Sequence, residues 1–166
     1  MPLSTDDAAV DTIVLVEGRS DVAALRVFAP ALARTAIVSL EGATKVGSFV
    51  RGATPGIHLI GLCDAGEVRF FERALEEFYV CDADLEDEFI RALGVDRTIA
   101  VIEEQGDLVA LRTFQNQPFQ RGRSIEQQLH RFFGTIAGRK EKYGAALAAA
   151  LDAPPGPIAR LLARVS

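Results

Sequence analysis

Three times in its first ninety or so residues the chain repeats one pattern: a short apolar run ends in carboxylates, and a helical periodicity follows at once. The runs are residues 12–16, closed by Glu17-Gly18, residues 58–63, closed by Asp64, and residues 78–81, closed by Asp82-Ala83-Asp84. The first, Thr-Ile-Val-Leu-Val, is β-branched and almost wholly apolar, as a strand covered on both faces must be, and such strands belong to parallel sheets. Behind it Ser20 offers a helix cap and sets Val22, Leu25 and Phe28 on one stripe. Residues 36–40 read as a further strand, 45–51 as a short helix, and 68–77 as a helix with Phe70, Phe71, Ala74 and Leu75 inward. Residues 85–93 read as a helix stopped by Gly94, and 97–103 as a fifth strand before a turn at Gln105-Gly106-Asp107.

Beyond residue 107 the alternation stops. One extended segment at 108–114 and a polar loop at 115–124 are expected, then helices at 125–133, 139–151 and 157–165. The expected architecture is α/β, a Rossmann-like parallel sheet flanked by helices over residues 1–106, with a mostly helical C-terminal extension over 107–166 packed on it.

Composition narrows the class. Hydrophobic residues at 49% and charged residues at 25% fit a folded globular chain rather than a disordered one. The apolar runs are too short to span a bilayer and the N-terminal stretch is polar and acidic, so a cytoplasmic protein without membrane association is expected. Cys63 and Cys81 have no nearby Cys or His partner for a zinc site and read as reduced core thiols. A net charge of −5 excludes a protein that coats nucleic acid by charge alone. The charge is unevenly spread: residues 1–96 hold 8 basic and 17 acidic side chains, whereas residues 97–166 hold 10 basic and 6 acidic. An acidic half beside a basic half suits a metal-dependent enzyme acting on a phosphate polymer.

In open parallel sheets ligands bind outside the carboxyl ends of the strands, where all three acidic closures must lie. Glu17 and Asp21 flank the turn at Gly18, Asp64 and Glu67 flank the next, and Asp82, Asp84, Glu86, Asp87 and Glu88 follow the third. Carboxylates gathered in this way repel one another unless a divalent cation lies among them, and hard cations take oxygen ligands. Some of the acids after Cys81 serve only as helix caps. Gly42-Ala-Thr-Lys-Val-Gly47-Ser48 has the glycine spacing of a phosphate loop but no Lys after the second glycine, and is not read as one. His58 and His130 are isolated and are assigned no catalytic role.

Glu17-Gly18 with Asp21 after a strand, and a later strand ending in Asp64, resemble the TOPRIM domain of bacterial primases, topoisomerases, recombination mediators and overcoming-lysogenization-defect (OLD) nucleases. Val16-Glu17-Gly18-Arg19-Ser20-Asp21, Asp84-Leu85-Glu86 and Gly138-Arg139-Lys140 are most similar to the OLD-type nuclease branch. The resemblance implies a magnesium- or manganese-dependent nuclease or nickase. One or two ions would be held by Glu17, Asp21 and Asp64 with Asp84 and Glu86 as further ligands. It also implies that Glu17, Asp64, Glu67 and Lys140 take part in catalysis, Lys140 by stabilising charge on the phosphate. Arg112, Arg121, Arg123, Arg131, Arg139 and Lys142 would then hold the backbone of a nucleic acid, DNA above all. Gly66 stands where many TOPRIM domains carry a second Asp, and the chain lacks the ATPase that OLD proteins usually carry. A non-catalytic module that binds DNA or a protein in recombination or repair, or the nuclease subunit of a split ATPase–nuclease pair, is the alternative.

Overall fold

The computed structural model describes residues 9–28 and 32–166. The acidic N-terminal stretch therefore falls mostly outside the described residues. Four strands, β1 (Thr12–Val16), β2 (Thr35–Ser39), β3 (His58–Asp64) and β4 (Phe78–Cys81), form one sheet in the order β2-β1-β3-β4. All three pairings are parallel, with Val14 opposite both Ile37 and Ile60, and Asp64 opposite Cys81. The strand-by-strand register therefore carries the acidic ends of β1, β3 and β4 to one edge.

Helices cover both faces. Along β1, Val14 and Val16 point into one core and Leu15 into the other, the two-residue alternation of a pleated strand. The smaller core holds Leu15, Cys63 and Phe71 under α2 (Val46–Gly52) and α3 (Val68–Ala74). Gly61 makes room there, since a Cβ at that position would lie 2.5 Å from the Phe71 ring. The larger core lies under α1 (Arg19–Arg26) and α4 (Leu85–Leu93), and extends to residues of α7 (Ile125–Phe133), α8 (Arg139–Ala150) and α9 (Gly156–Val165). It joins Val14 and Ile60 of the sheet to Phe132, Tyr143 and Leu161, so residues on both sides of position 106 share it. Among the described residues no helix is long and apolar enough to cross a membrane. Cys63 and Cys81 are buried free thiols, and burial pushes the Cys63 thiol up to about 12, which makes it inert.

Two expectations fail. Residues 97–103 are not a fifth strand but part of helix α5 (Val95–Glu104). Thr98, Val101 and Ile102 are the buried positions, which is helical spacing, and their β-branched side chains imitate a strand. Gly94, at φ 81°, turns α4 directly into α5, and Thr98 Oγ1 donates to its carbonyl at 2.7 Å. Residues 108–114 are likewise not extended but lie in α6 (Leu108–Gln115), which buries Leu111 and Phe114 and leaves Val109 79% exposed.

Helix α8 reaches the sheet edge because of one missing side chain. At Gly144 a Cβ would stand 2.7 Å from the Ser20 carbonyl oxygen, so only glycine lets α8 lie this close to the start of α1. Gly138, left-handed at φ 82°, opens α8, and Lys140 follows in its first turn. The helix thus delivers a cation to the acidic edge.

Candidate metal centre

Glu17 follows β1, and Asp21 sits in the first turn of α1 with Oδ2 accepting the Gly18 amide proton at 3.0 Å. Asp64 ends β3, and Glu67 lies in the short helical turn behind it. Asp84 caps α4, its Oδ1 accepting from the Asp87 amide at 2.9 Å, and Glu86 lies in that helix's first turn. A cavity of about 260 Å³ has Glu17, Asp21, Asp64, Glu86 and Lys140 in its wall. A second, wider cleft of about 550 Å³ shares Asp64 with it and carries Glu67, Asp84, His130, Arg123 and Arg131. Asp64 is therefore the wall between the two spaces.

The electrostatics are those of crowded anions. Burial pushes Asp64 up to about 7, and the charges of Asp21, Asp84, Glu17 and Glu86 add to the effect. Burial likewise pushes Asp21 up to about 7, with the Gly18 amide and Lys140 opposing and Glu86 and Glu17 reinforcing. Glu17 is raised by burial and by Glu67, against the pull of Lys140. Burial would lower Lys140, but Glu86, Asp84, Asp64 and Asp21 outweigh it and hold the ammonium charged. Its nitrogen lies 3.7 Å from Glu86 Oε1. One cation facing this many carboxylates leaves a site short of positive charge, the condition under which a divalent ion is favoured. An oxygen-only donor set of this kind matches magnesium or manganese, so the residues fit the metal that the sequence resemblance implies.

The acid-rich start of α4 divides by role. Asp87 and Glu88 are engaged by Arg91 at 2.8 and 3.0 Å, and Arg91 also reaches Asp82 at 3.2 Å. Glu88 in addition accepts the Asp82 amide at 2.8 Å. Asp82 and Glu88 shape the turn, Asp87 pairs with Arg91 on the wall of the wider cleft, and Asp84 and Glu86 face the wider cleft and the smaller cavity.

The structure adds a residue to which the sequence assigned no part. His130 Nε2 meets Asp84 Oδ2 at 2.5 Å. The Asp84 hydrogen bond raises the His130 imidazole pKa. Asp84, itself raised by burial, ends below the ordinary carboxylate range because His130, the Asp87 amide and Lys140 outweigh that burial. Ligand atoms of Asp84, Glu86 and His130 all lie within 4.8 Å of one another, a group that could hold a metal ion. The available signal was the polar stripe Glu126, Gln127, His130, Arg131 opposite the buried Leu129, Phe132 and Phe133 of α7. Glu41 is a second addition, on the rim of the smaller cavity at φ 54°, held by Arg19 at 3.1 Å and Ser39 at 3.2 Å.

The basic candidates separate as well. Arg123 and Arg131 line the wider cleft, and Arg121 is exposed on the loop before α7. Arg112 is exposed and donates to Gln115 at 2.8 Å. Arg139 stacks 4.0 Å over the Phe132 ring and donates to Thr135 Oγ1 at 2.7 Å, which makes it a brace between α7 and α8. Lys142 ties α8 to Asp107 at 3.0 Å, beside Tyr143, whose hydroxyl donates to the same carboxylate at 2.7 Å. The loop from Gly42 to Ser48 holds a short helical turn and the start of α2.

No family model and no curated protein matches the chain. Solved structures do. The C-terminal region of the Burkholderia pseudomallei OLD protein superposes with a TM-score of 0.62 at 20% identity, covering 94% of this chain and 96% of that one. The C-terminal region of the Xanthomonas campestris pv. campestris OLD protein gives 0.60 at 19% identity, covering 93% of each chain. Over nearly its whole length this chain has the α/β fold of OLD C-terminal regions.

Proposed function

We propose that the protein is a divalent-metal-dependent phosphodiester hydrolase acting on nucleic acid, a nuclease or nickase with a TOPRIM-type centre. The observation that carries this reading is the convergence of Glu17, Asp21, Asp64 and Glu86 with Lys140 on one cavity at the carboxyl edge of a parallel sheet. The fold shared with OLD C-terminal regions supports it.

Glu17, Asp21 and Asp64 would hold magnesium or manganese, with Glu86 on the same cavity and Asp84 on the wider cleft as further ligands. Such an ion supplies an acidified water and a positive centre for the charge that develops on phosphorus-bound oxygen. Lys140, held charged by the surrounding carboxylates, donates to a non-bridging phosphate oxygen and balances its charge as the bond breaks. Glu67, on the wider cleft beside Asp64, accepts a hydrogen bond from the attacking water and orients it. Arg123 and Arg131, across that cleft, grip the flanking phosphates and set the register of the strand without reading its sequence. DNA is the substrate favoured, and a separate ATPase chain is a fitting partner.

Supercoiled plasmid incubated with magnesium or manganese is expected to be nicked or linearised by the protein. Glu17→Ala is expected to lower the rate at least about a hundredfold. Equal cleavage by the variant would remove Glu17 from the chemistry, and binding of DNA without cleavage under either ion would make the protein a non-catalytic binding module.

A further inference from the structure

Asp84, Glu86 and His130 are the tightest group of metal-capable donors among the described residues, and their make-up differs from that of the neighbouring cavity. Glu17, Asp21 and Asp64 offer oxygen alone. The second group offers two carboxylates and an imidazole nitrogen, delivered by two helices far apart in sequence. Asp84 and His130 are hydrogen-bonded to each other at 2.5 Å, a contact that an ion between them would replace, and each is also anchored in its own helix. Asp84 is fixed by capping α4 through its other oxygen. His130 rides on α7, anchored by the fully buried Leu129, Phe132 and Phe133 and by the reciprocal Ser124–Gln127 cap. Glu86 has a side chain only 6% exposed, and among the described residues it makes no hydrogen bond, its nearest cation being Lys140 at 3.7 Å. Among the described residues its one charged partner is Lys140, and its carboxylate lies within 4.8 Å of the Asp84 and His130 ligand atoms, placed to take an inner-sphere ion with them.

We infer that Asp84, Glu86 and His130 form a mixed nitrogen–oxygen site that takes a first-row transition ion, manganese, cobalt or zinc, in preference to magnesium. The inference rests on the metal-dependent reading above and adds which ion this group, lying where the two spaces meet, selects and which residue selects it. Imidazole nitrogen binds borderline transition ions well, whereas magnesium keeps to oxygen donors and gives up its waters reluctantly. His130 is thus the specificity-determining residue. Asp84 and Glu86 without it would form an oxygen site like the one next door.

The chain has two histidines, which makes the assignment direct. His58 lies at the far edge of the sheet, 3.1 Å from Glu77. Untagged protein of residues 1–166 loaded with manganese is examined by electron spin-echo envelope modulation, which detects directly coordinated nitrogen. Imidazole coupling is expected in the wild type and in His58→Gln, and is expected to vanish in His130→Gln. By titration calorimetry, His130→Gln is expected to weaken cobalt binding at least about tenfold while magnesium binding changes less than about threefold. Gln keeps a donor facing Asp84, so a residue that only positioned Asp84 would leave the cobalt-to-magnesium ratio unchanged, and that result overturns the inference. Manganese bound without nitrogen coupling in the wild type overturns it too while leaving the proposed function intact, and failure of the wild type to bind any divalent ion removes both.

Discussion

Asp21 accepts the Gly18 amide proton at 3.0 Å, and burial together with Glu86 and Glu17 pushes its carboxyl up to about 7. The folded chain therefore holds a proton there that the unfolded chain gives up near the ordinary carboxylate range. By linkage, this contribution to stability is complete below the unfolded pKa and is lost as pH rises towards and through 7. Asp64 behaves alike and for the same reason. Without divalent ions, thermal unfolding is expected at a higher temperature at pH 5 than at pH 7.5. Asp21→Asn keeps the capping acceptor and removes the charge. It is expected to raise the pH 7.5 midpoint in EDTA by about 2–4 °C, as about 1 kcal/mol does in a domain of this size, and to flatten the pH dependence. The same variant is expected to lose metal binding, and an unchanged or lower midpoint in EDTA would show that Asp21 is not under electrostatic strain. That Glu17, Asp21 and Asp64 meet at one edge was legible in the sequence because a carboxylate at or just beyond the end of a buried parallel strand has only one edge to occupy. His130 was not, because its partner lies 46 residues away and the meeting depends on how α7 crosses α4.

Lys140 depends on the placement of α8 as a whole. Gly144 is the point of closest approach, and Gly144→Ala must push α8 away from the Ser20 carbonyl or shift the start of α1, where Gly18 and Asp21 lie. A cost of about 1–3 kcal/mol is expected, with loss of cleavage beyond what the fraction folded accounts for. Gly52→Ala is the control: nothing lies within 4 Å of the added atom, and stability is expected to change by less than about 1 kcal/mol. Equal behaviour of the two variants in a denaturant titration would remove the close approach from the account. At this scale the alternating strands and helices up to residue 93 follow from periodicity, since each strand is apolar on both faces and each helix shows one stripe. Helix α5 was misread because Thr98, Ile99, Val101 and Ile102 carry strand-forming side chains, and α6 because Val109, Thr113 and Phe114 do, and burial against a helical neighbourhood overrode that preference.

Taken whole, the molecule sets an acidic sheet edge against a helical half that contributes Lys140, His130, Arg123 and Arg131 to the two spaces around Asp64. The uneven charge of the two halves was visible in composition, but the assignment of Arg139 and Lys142 to bracing rather than to the cleft required the packing of α7, α8 and Asp107. The carboxylates of the sheet edge draw their nearest cation, Lys140, from the helical half. A crystal of the protein soaked in manganese and measured at the manganese absorption edge tests for a metal centre there most directly. Anomalous density among Glu17, Asp21 and Asp64 is the predicted result. An empty cavity with Lys140 drawn into an ion pair with those carboxylates would contradict it.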